Sequence, residues 1–209
     1  DRMANSHEHF GGYQSLDRTG PFEPLVDEGF MLSTGRACLA LALRTMRPKR
    51  MHVPFFICGS ALDPLYEQGV EPCFYELDDR LLPLSLPKVG TDEMILLVDY
   101  FGLCGIGVET CARGLGPRAV IDHSLAFFAA PVLGCWNFTS ARKFFGVPDA
   151  AGLHAPVDVT YPTLRNEKMI CTHLLLASVG SQSEGLAYHR ANEGLMSSEA
   201  LRCSLLGQR

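Results

Sequence analysis

The sequence has no apolar run long enough to cross a bilayer. Its longer apolar stretches, such as Met94–Val98 and Leu174–Ala177, fall far short of the roughly 20 residues a membrane-spanning helix needs. It has no basic excess either. Eighteen Lys and Arg against 23 Asp and Glu leave a net charge of −5, without the positive surplus that drives binding to a phosphate backbone. Neither membrane nor nucleic acid is an expected partner. The eight cysteines, at 38, 58, 73, 104, 111, 135, 171 and 203, include no C-x-x-C pair, and most sit in apolar runs where a free thiol behaves as a small hydrophobe. The expectation is a reducing, cytoplasmic setting rather than a secreted disulfide scaffold. No histidine pair has metal-ligand spacing apart from His7 and His9, so no metal is expected. Asp1 to Glu8 is polar rather than basic-then-apolar and does not read as a secretory signal; residues 1–10 are expected to lie outside the fold as an appended or unordered terminus. Gly105-Ile106-Gly107 lacks the third glycine of a dinucleotide-binding turn.

What is present is enough for a substantial core: 209 residues, 47% hydrophobic and 20% charged, the composition of a soluble globular chain. From about residue 33 to 155, helix-like and strand-like segments alternate across short joints, which predicts an α/β fold with a mostly parallel sheet flanked by helices. Ser33-Thr34-Gly35 offers a cap to a helix over Arg36–Met46, ended by Pro48. Met51–Phe56 reads as a strand, Ser60–Gln68 as a helix closed by Gly69, and Val70–Leu77 as a strand. Leu81–Gly90 is a loop, and Glu93–Tyr100 is a strand buried on both faces. Val108–Leu115 is expected to be a helix between Gly107 and Gly116, with strands at Arg118–Asp122 and Gly134–Phe138. After Gly152 the chain becomes irregular. From Thr172 onward it reads as helical, interrupted near Gly180–Ser183 and at Gly194. Leu205-Leu206 suggests apolar surface near the end.

Ligands of open α/β sheets bind beyond the carboxyl ends of the strands, and three places there carry candidate chemistry. Thr34-Gly35-Arg36 opens a helix whose free N–H groups suit an anion such as phosphate, although an ordinary cap has the same sequence. Asp122 ends an apolar strand, where a carboxylate needs a cation or donors; capping the next turn is the alternative. Lys143 follows Thr139 and Ser140 and lies between Arg142 and the rings of Phe144 and Phe145. A neighbouring positive charge and desolvation each disfavour the ammonium, and a neutral amine is what an imine-forming lysine presents to a carbonyl. A solvated basic pair beside two core phenylalanines is the plainer alternative. Asp99, at the end of another strand, faces the cleft or caps a turn. His52, His173 and His189 suggest no chemistry.

A carboxylate, a lysine and phosphate-binding hydroxyls at a helix start are the parts that hold pyridoxal phosphate. The runs Val120-Ile121-Asp122-His123-Ser124-Leu125-Ala126-Phe127-Phe128, Ser140-Ala141-Arg142-Lys143-Phe144-Phe145-Gly146-Val147-Pro148-Asp149 and Thr34-Gly35-Arg36-Ala37 resemble the DegT/DnrJ/EryC1/StrS family of sugar aminotransferases, fold type I. Val53-Pro54-Phe55-Phe56 and Tyr100-Phe101-Gly102 fall in the expected order between them, and the resemblance covers residues 11–206. It implies Lys143 as the lysine that forms the imine with the cofactor and Asp122 as the partner of the pyridinium. Ser140 and the Gly35-Arg36 turn become phosphate contacts, and an aromatic from the Phe55-Phe56 region, taken as Phe56, lies near the ring. A homodimer is also implied, with additional interface from the last helix. So are a keto sugar nucleotide or related small ketone as substrate and an amino donor such as glutamate.

The sequence departs from the family pattern in three ways. Leu125 stands where many members carry glutamine or histidine near the cofactor's oxygen, so His123 is a candidate replacement. The glycine-rich stretch that often follows the lysine is altered at Ala150-Ala151-Gly152. Residues 11–171 correspond to the cofactor-binding large domain and 172–209 to a helical segment, so the sequence stops where the family's small domain would begin. Lys143 argues against the dehydratase branch, in which histidine replaces the lysine. The competing expectation is a non-catalytic or truncated relative that keeps the sheet as a binding or scaffold protein.

Overall fold

The structure is a computed structural model that describes residues 14–16 and 30–204; His7, His9 and Leu205-Leu206 lie outside the described residues. The described chain forms β1 (Phe30–Leu32), α1 (Gly35–Met46), β2 (Arg50–Pro54), α2 (Asp63–Glu67), β3 (Glu71–Tyr75), β4 (Glu93–Val98), α3 (Gly105–Ala112), β5 (Ala119–His123), β6 (Trp136–Thr139), β7 (Ala151–His154), α4 (Thr172–Ser178) and α5 (Gln182–Leu195). The seven strands make one sheet in the order β1-β7-β6-β5-β4-β2-β3. Neighbours from β6 through β3 pair in parallel. β7 pairs antiparallel with both β6 and β1, so β1 runs with the parallel set and β7 alone is reversed among the described strands.

Strand alternation divides the sheet into two apolar faces. Met51, Val53, Met94, Leu96, Val120, Trp136, Phe138 and Leu153 pack with α1 in one core. Ile95, Leu97, Ala119 and Ile121 pack with Val108 and Ala112 of α3 in the other. Helix α1 is buried from Ala37 to Leu43, which accounts for its nearly unbroken apolar sequence. Its start is capped as predicted: Thr34 Oγ1 accepts from Ala37 N at 3.0 Å. It ends before Pro48, where Arg47 turns left-handed at φ 49°.

Three local expectations change. Gly107 lies inside α3 rather than before it, with the Leu82 side chain packed against it where a Cβ would stand 2.3 Å from Leu82 Cδ1. Gly194 lies inside α5 and does not interrupt it. The irregular passage after Gly152 begins with β7, a strand too short to announce itself. The segment after α5 then returns to the sheet edge, with Ser33 N bonded to Leu201 O at 2.8 Å and Cys203 N to Met31 O at 3.3 Å. This strap covers part of edge strand β1 and is latched by buried Asp149, which accepts from Ser204 Oγ at 2.6 Å and Ser204 N at 2.9 Å. No described helix is long and apolar enough to cross a membrane.

Candidate cofactor site

The strand order reverses between β2 and β4, and the crevice beyond the carboxyl ends of the strands at such a reversal is where open α/β sheets hold ligands. A cleft of about 520 Å³ lies there, lined by Gly35, Arg36, Phe56, Asp122, Ser140 and Lys143. Six of the seven residues predicted for the site, spread over more than a hundred positions of sequence, thus meet in one cavity. Its volume falls within the ordinary range for small-molecule sites.

Each wall follows from local structure. Asp122 is the fourth residue of β5 and shares the α1 face of the sheet with Val120, so its side chain enters the cleft. Oδ1 accepts from Ser124 N at 2.7 Å. The turn-capping alternative is therefore also realised, and one carboxylate does both. Burial raises the proton affinity of Asp122, against the opposing pull of Ser124, His123 and Lys143. At α1, the Ala37 and Cys38 amides are satisfied by Thr34, whereas those of Gly35 and Arg36 have no acceptor within the helix. Gly35 sits at a close approach, where a Cβ would lie 3.1 Å from the Phe138 ring. The Arg36 guanidinium pairs with Asp63 at 3.1 Å, so this residue offers the cleft its backbone N–H. Ser140 is buried at the start of the 3₁₀ turn Ala141–Lys143, and Lys143 is exposed.

The surroundings of Lys143 differ from the expected sandwich. Arg142 turns to Glu193 and the Met196 sulfur of the α5 end. Phe144 and Phe145 join Phe127 and Phe128 in an edge-to-face cluster with centroids 5.1 to 6.2 Å apart. Thr139 is likewise drawn away, its hydroxyl accepting from Gly152 N at 3.2 Å.

His123 does not line the cleft. One residue past Asp122 on a strand, it points to the opposite face, where it is 2% exposed; Nδ1 lies 3.4 Å from Asp99 Oδ2 and Nε2 lies 3.3 Å from Asn137 Oδ1. It cannot stand in for the polar residue absent at Leu125, which itself lines the cleft. Asp99 takes its capping role, accepting from Cys104 N at 3.0 Å. His173 of α4 and His189 of α5 lie with ring centroids 5.3 Å apart and planes tilted by 55°, and burial holds the His173 imidazole down at about 4.

Tyr100, Ser124, Glu193 and Met196 also line the cleft and were not expected as site residues. Tyr100 stacks on Phe56 at 5.5 Å and donates its hydroxyl to Phe56 O. Burial, with Asp122 nearby, pushes its phenol up, so it remains a donor at neutral pH. Its place just past β4 was the available signal. Glu193 lies 50 residues beyond Lys143 and carried none.

No family profile matches the sequence, and no curated protein matches it. Solved structures do. The aminotransferase TlmJ from Streptoalloteichus hindustanus matches at TM-score 0.51 and 17% identity, over 61% of this chain and 40% of that one. DesV from S. venezuelae, solved in complex with a ketimine intermediate, matches at 0.50 and 16%, over 72% and 43%. The 3-amino-5-hydroxybenzoic acid synthase matches at 0.50 and 16%, over 61% and 38%. The fold is that of the aminotransferases. The chain spans about two fifths of the length of these structures, and at these identities the likeness is one of fold.

Proposed function

We propose that this chain is the cofactor-binding part of a pyridoxal-phosphate-dependent aminotransferase acting on a keto sugar nucleotide or related small ketone, with a homodimer as its working form. The observation that carries the reading is the convergence of Lys143, Asp122, Ser140 and the start of α1 in one cleft. The residues fit the group. Asp122 is a half-buried carboxylate whose burial raises its proton affinity, a site that would suit pairing with a protonated ring nitrogen. The α1 amides and Ser140 form a neutral, donor-rich end for a phosphate. Phe56, braced by Tyr100, offers a ring face.

Pyridoxal phosphate, when bound, supplies an electron sink for bond changes at the substrate carbon. Lys143 would supply the amine and move the proton, and its exposure leaves it accessible to a carbonyl. Asp122 would pair with the protonated ring nitrogen and keep the proton there. Tyr100 keeps Phe56 in place through its hydrogen bond to Phe56 O. Leu125 presents no polar group to the cleft, so any contact there is apolar.

The test is covalent capture. Protein mixed with pyridoxal phosphate should gain visible absorbance, borohydride should tag the peptide bearing Lys143, and Lys143→Ala should abolish the tag. A colourless protein, or a tag on Lys168, sinks the reading. A tagged protein that fails to exchange amino groups between glutamate and a keto sugar nucleotide supports the binding-protein alternative instead.

A further inference from the structure

The cleft contains an ion pair, Arg142 with Glu193, outside the set of residues proposed above to hold the cofactor. Arg142 lies next to Lys143 on the 3₁₀ turn, and its guanidinium is bound by the Glu193 carboxylate and touched by the Met196 sulfur, all three residues lining the cleft. The arginine side chain is 18% exposed and the glutamate 43%. The turn beneath Arg142 is anchored to the sheet through Ala141 N to Ala150 O at 2.9 Å. Glu193, by contrast, arrives on the last turn of α5, two residues before that helix ends. One partner is fixed to the floor, and the other is an exposed side chain reaching in from the mouth.

We propose that Arg142 is a carboxylate-binding residue of the cleft, and that Glu193 occupies it as an internal carboxylate which the carboxylate of an amino acid or 2-oxo acid displaces. This rests on the reading above, because an amino donor must bring its amine to the group Lys143 serves while its carboxylate is held nearby. Guanidinium is the side chain suited to that task, binding a planar carboxylate through two parallel N–H donors. Arg36 is engaged elsewhere, paired with Asp63. Arg142 is thus the lining guanidinium whose partner is a carboxylate at the mouth of the cleft. Exchange of one carboxylate for another keeps the Arg142 guanidinium paired, while the released Glu193, already 43% exposed and 4.0 Å from His189 Nε2, returns to solvent.

Calorimetric titration with glutarate, an unreactive dicarboxylate, tests this on the full chain with and without pyridoxal phosphate. Glu193→Gln should tighten glutarate binding severalfold, since a partly exposed ion pair competes only weakly. Arg142→Gln should weaken it at least about tenfold, and Arg142→Lys should restore only part of the loss. Binding in Glu193→Gln with none detectable in the parent supports internal occupancy. Binding that is insensitive to Arg142→Gln but lost in Lys143→Ala overturns the assignment, as does the absence of binding in Glu193→Gln. The borohydride tag on Lys143 separates the two claims: a tag retained while glutarate ignores Arg142 removes this inference alone, and loss of the tag removes the cofactor reading.

Discussion

At the scale of the residue, Asp122 sets function against stability. Its burial raises its proton affinity, so the charged form is penalised in the folded state relative to the unfolded one. For a carboxylate shifted upward, stability is lost as pH rises through the aspartate range, and the penalty is complete above the raised value. Asp122→Asn keeps an oxygen for Ser124 N and carries no such penalty. Without cofactor it should melt above the parent at neutral pH, with the gap closing as pH falls below the ordinary value of 3.8. The same variant should bind pyridoxal phosphate at least about tenfold more weakly, having lost the charge that pairs with the ring nitrogen. Melting curves across pH and a cofactor titration check the two halves. A gap that does not change with pH refutes the burial argument.

At the scale of the element, the amino end of α1 is built by two neighbours in sequence with different tasks. Thr34 caps the helix, and Gly35 lets the Phe138 ring lie against it. Phe138 is a buried residue of β6 whose ring borders the cleft, so a methyl at 35 must push it by a few tenths of an ångström. Gly35→Ala is expected to cost about 1 kcal/mol through overpacking, a fall in melting temperature of roughly 2–4 °C. It should also displace the amides that face the cleft and weaken inorganic phosphate binding in a competition titration. A variant as stable as the parent would show that the ring moves freely. The elements that carry the site were legible because each announces itself: α1 by its cap and apolar run, β4 by four consecutive aliphatics, and β5 by the acid at its end. β1 and β7 were not, because three and four residues give too few positions for a period of two. His123, offered as the replacement for the polar residue missing at Leu125, does not reach the cleft because it follows Asp122 on a strand and adjacent strand residues face opposite sides. Gly107 reads as punctuation in sequence, whereas in the fold it lies within α3 against the Leu82 side chain, a tertiary contact that no local pattern announces.

At the scale of the whole molecule, the α3 side of the sheet presents apolar surface that the described chain does not cover. Within six residues, Phe101, Leu103 and Ile106 are 59, 81 and 85% exposed. Phe101 also lines the cleft and is held in the left-handed region at φ 58°, a backbone state that costs a bulky residue roughly 1–3 kcal/mol. Strain that keeps a phenylalanine outward at the cleft edge is hard to explain for a surface that faces only water. A second copy of the chain, packing through the same patch by two-fold symmetry, would bury the ring and enclose the cleft from that side. The last helix, by comparison, exposes Leu186, Tyr188 and Leu195 only to 42, 46 and 43%, a weaker claim on a partner. Light scattering should therefore give twice the chain mass, and the double variant Leu103→Lys, Ile106→Lys should give a monomer with unchanged circular dichroism. That monomer should retain less pyridoxal phosphate on gel filtration, because the cleft opens to solvent on the side the partner covered. A dimer that survives both charges would place the interface elsewhere, and a monomeric parent would leave Phe101 strained for a reason of its own.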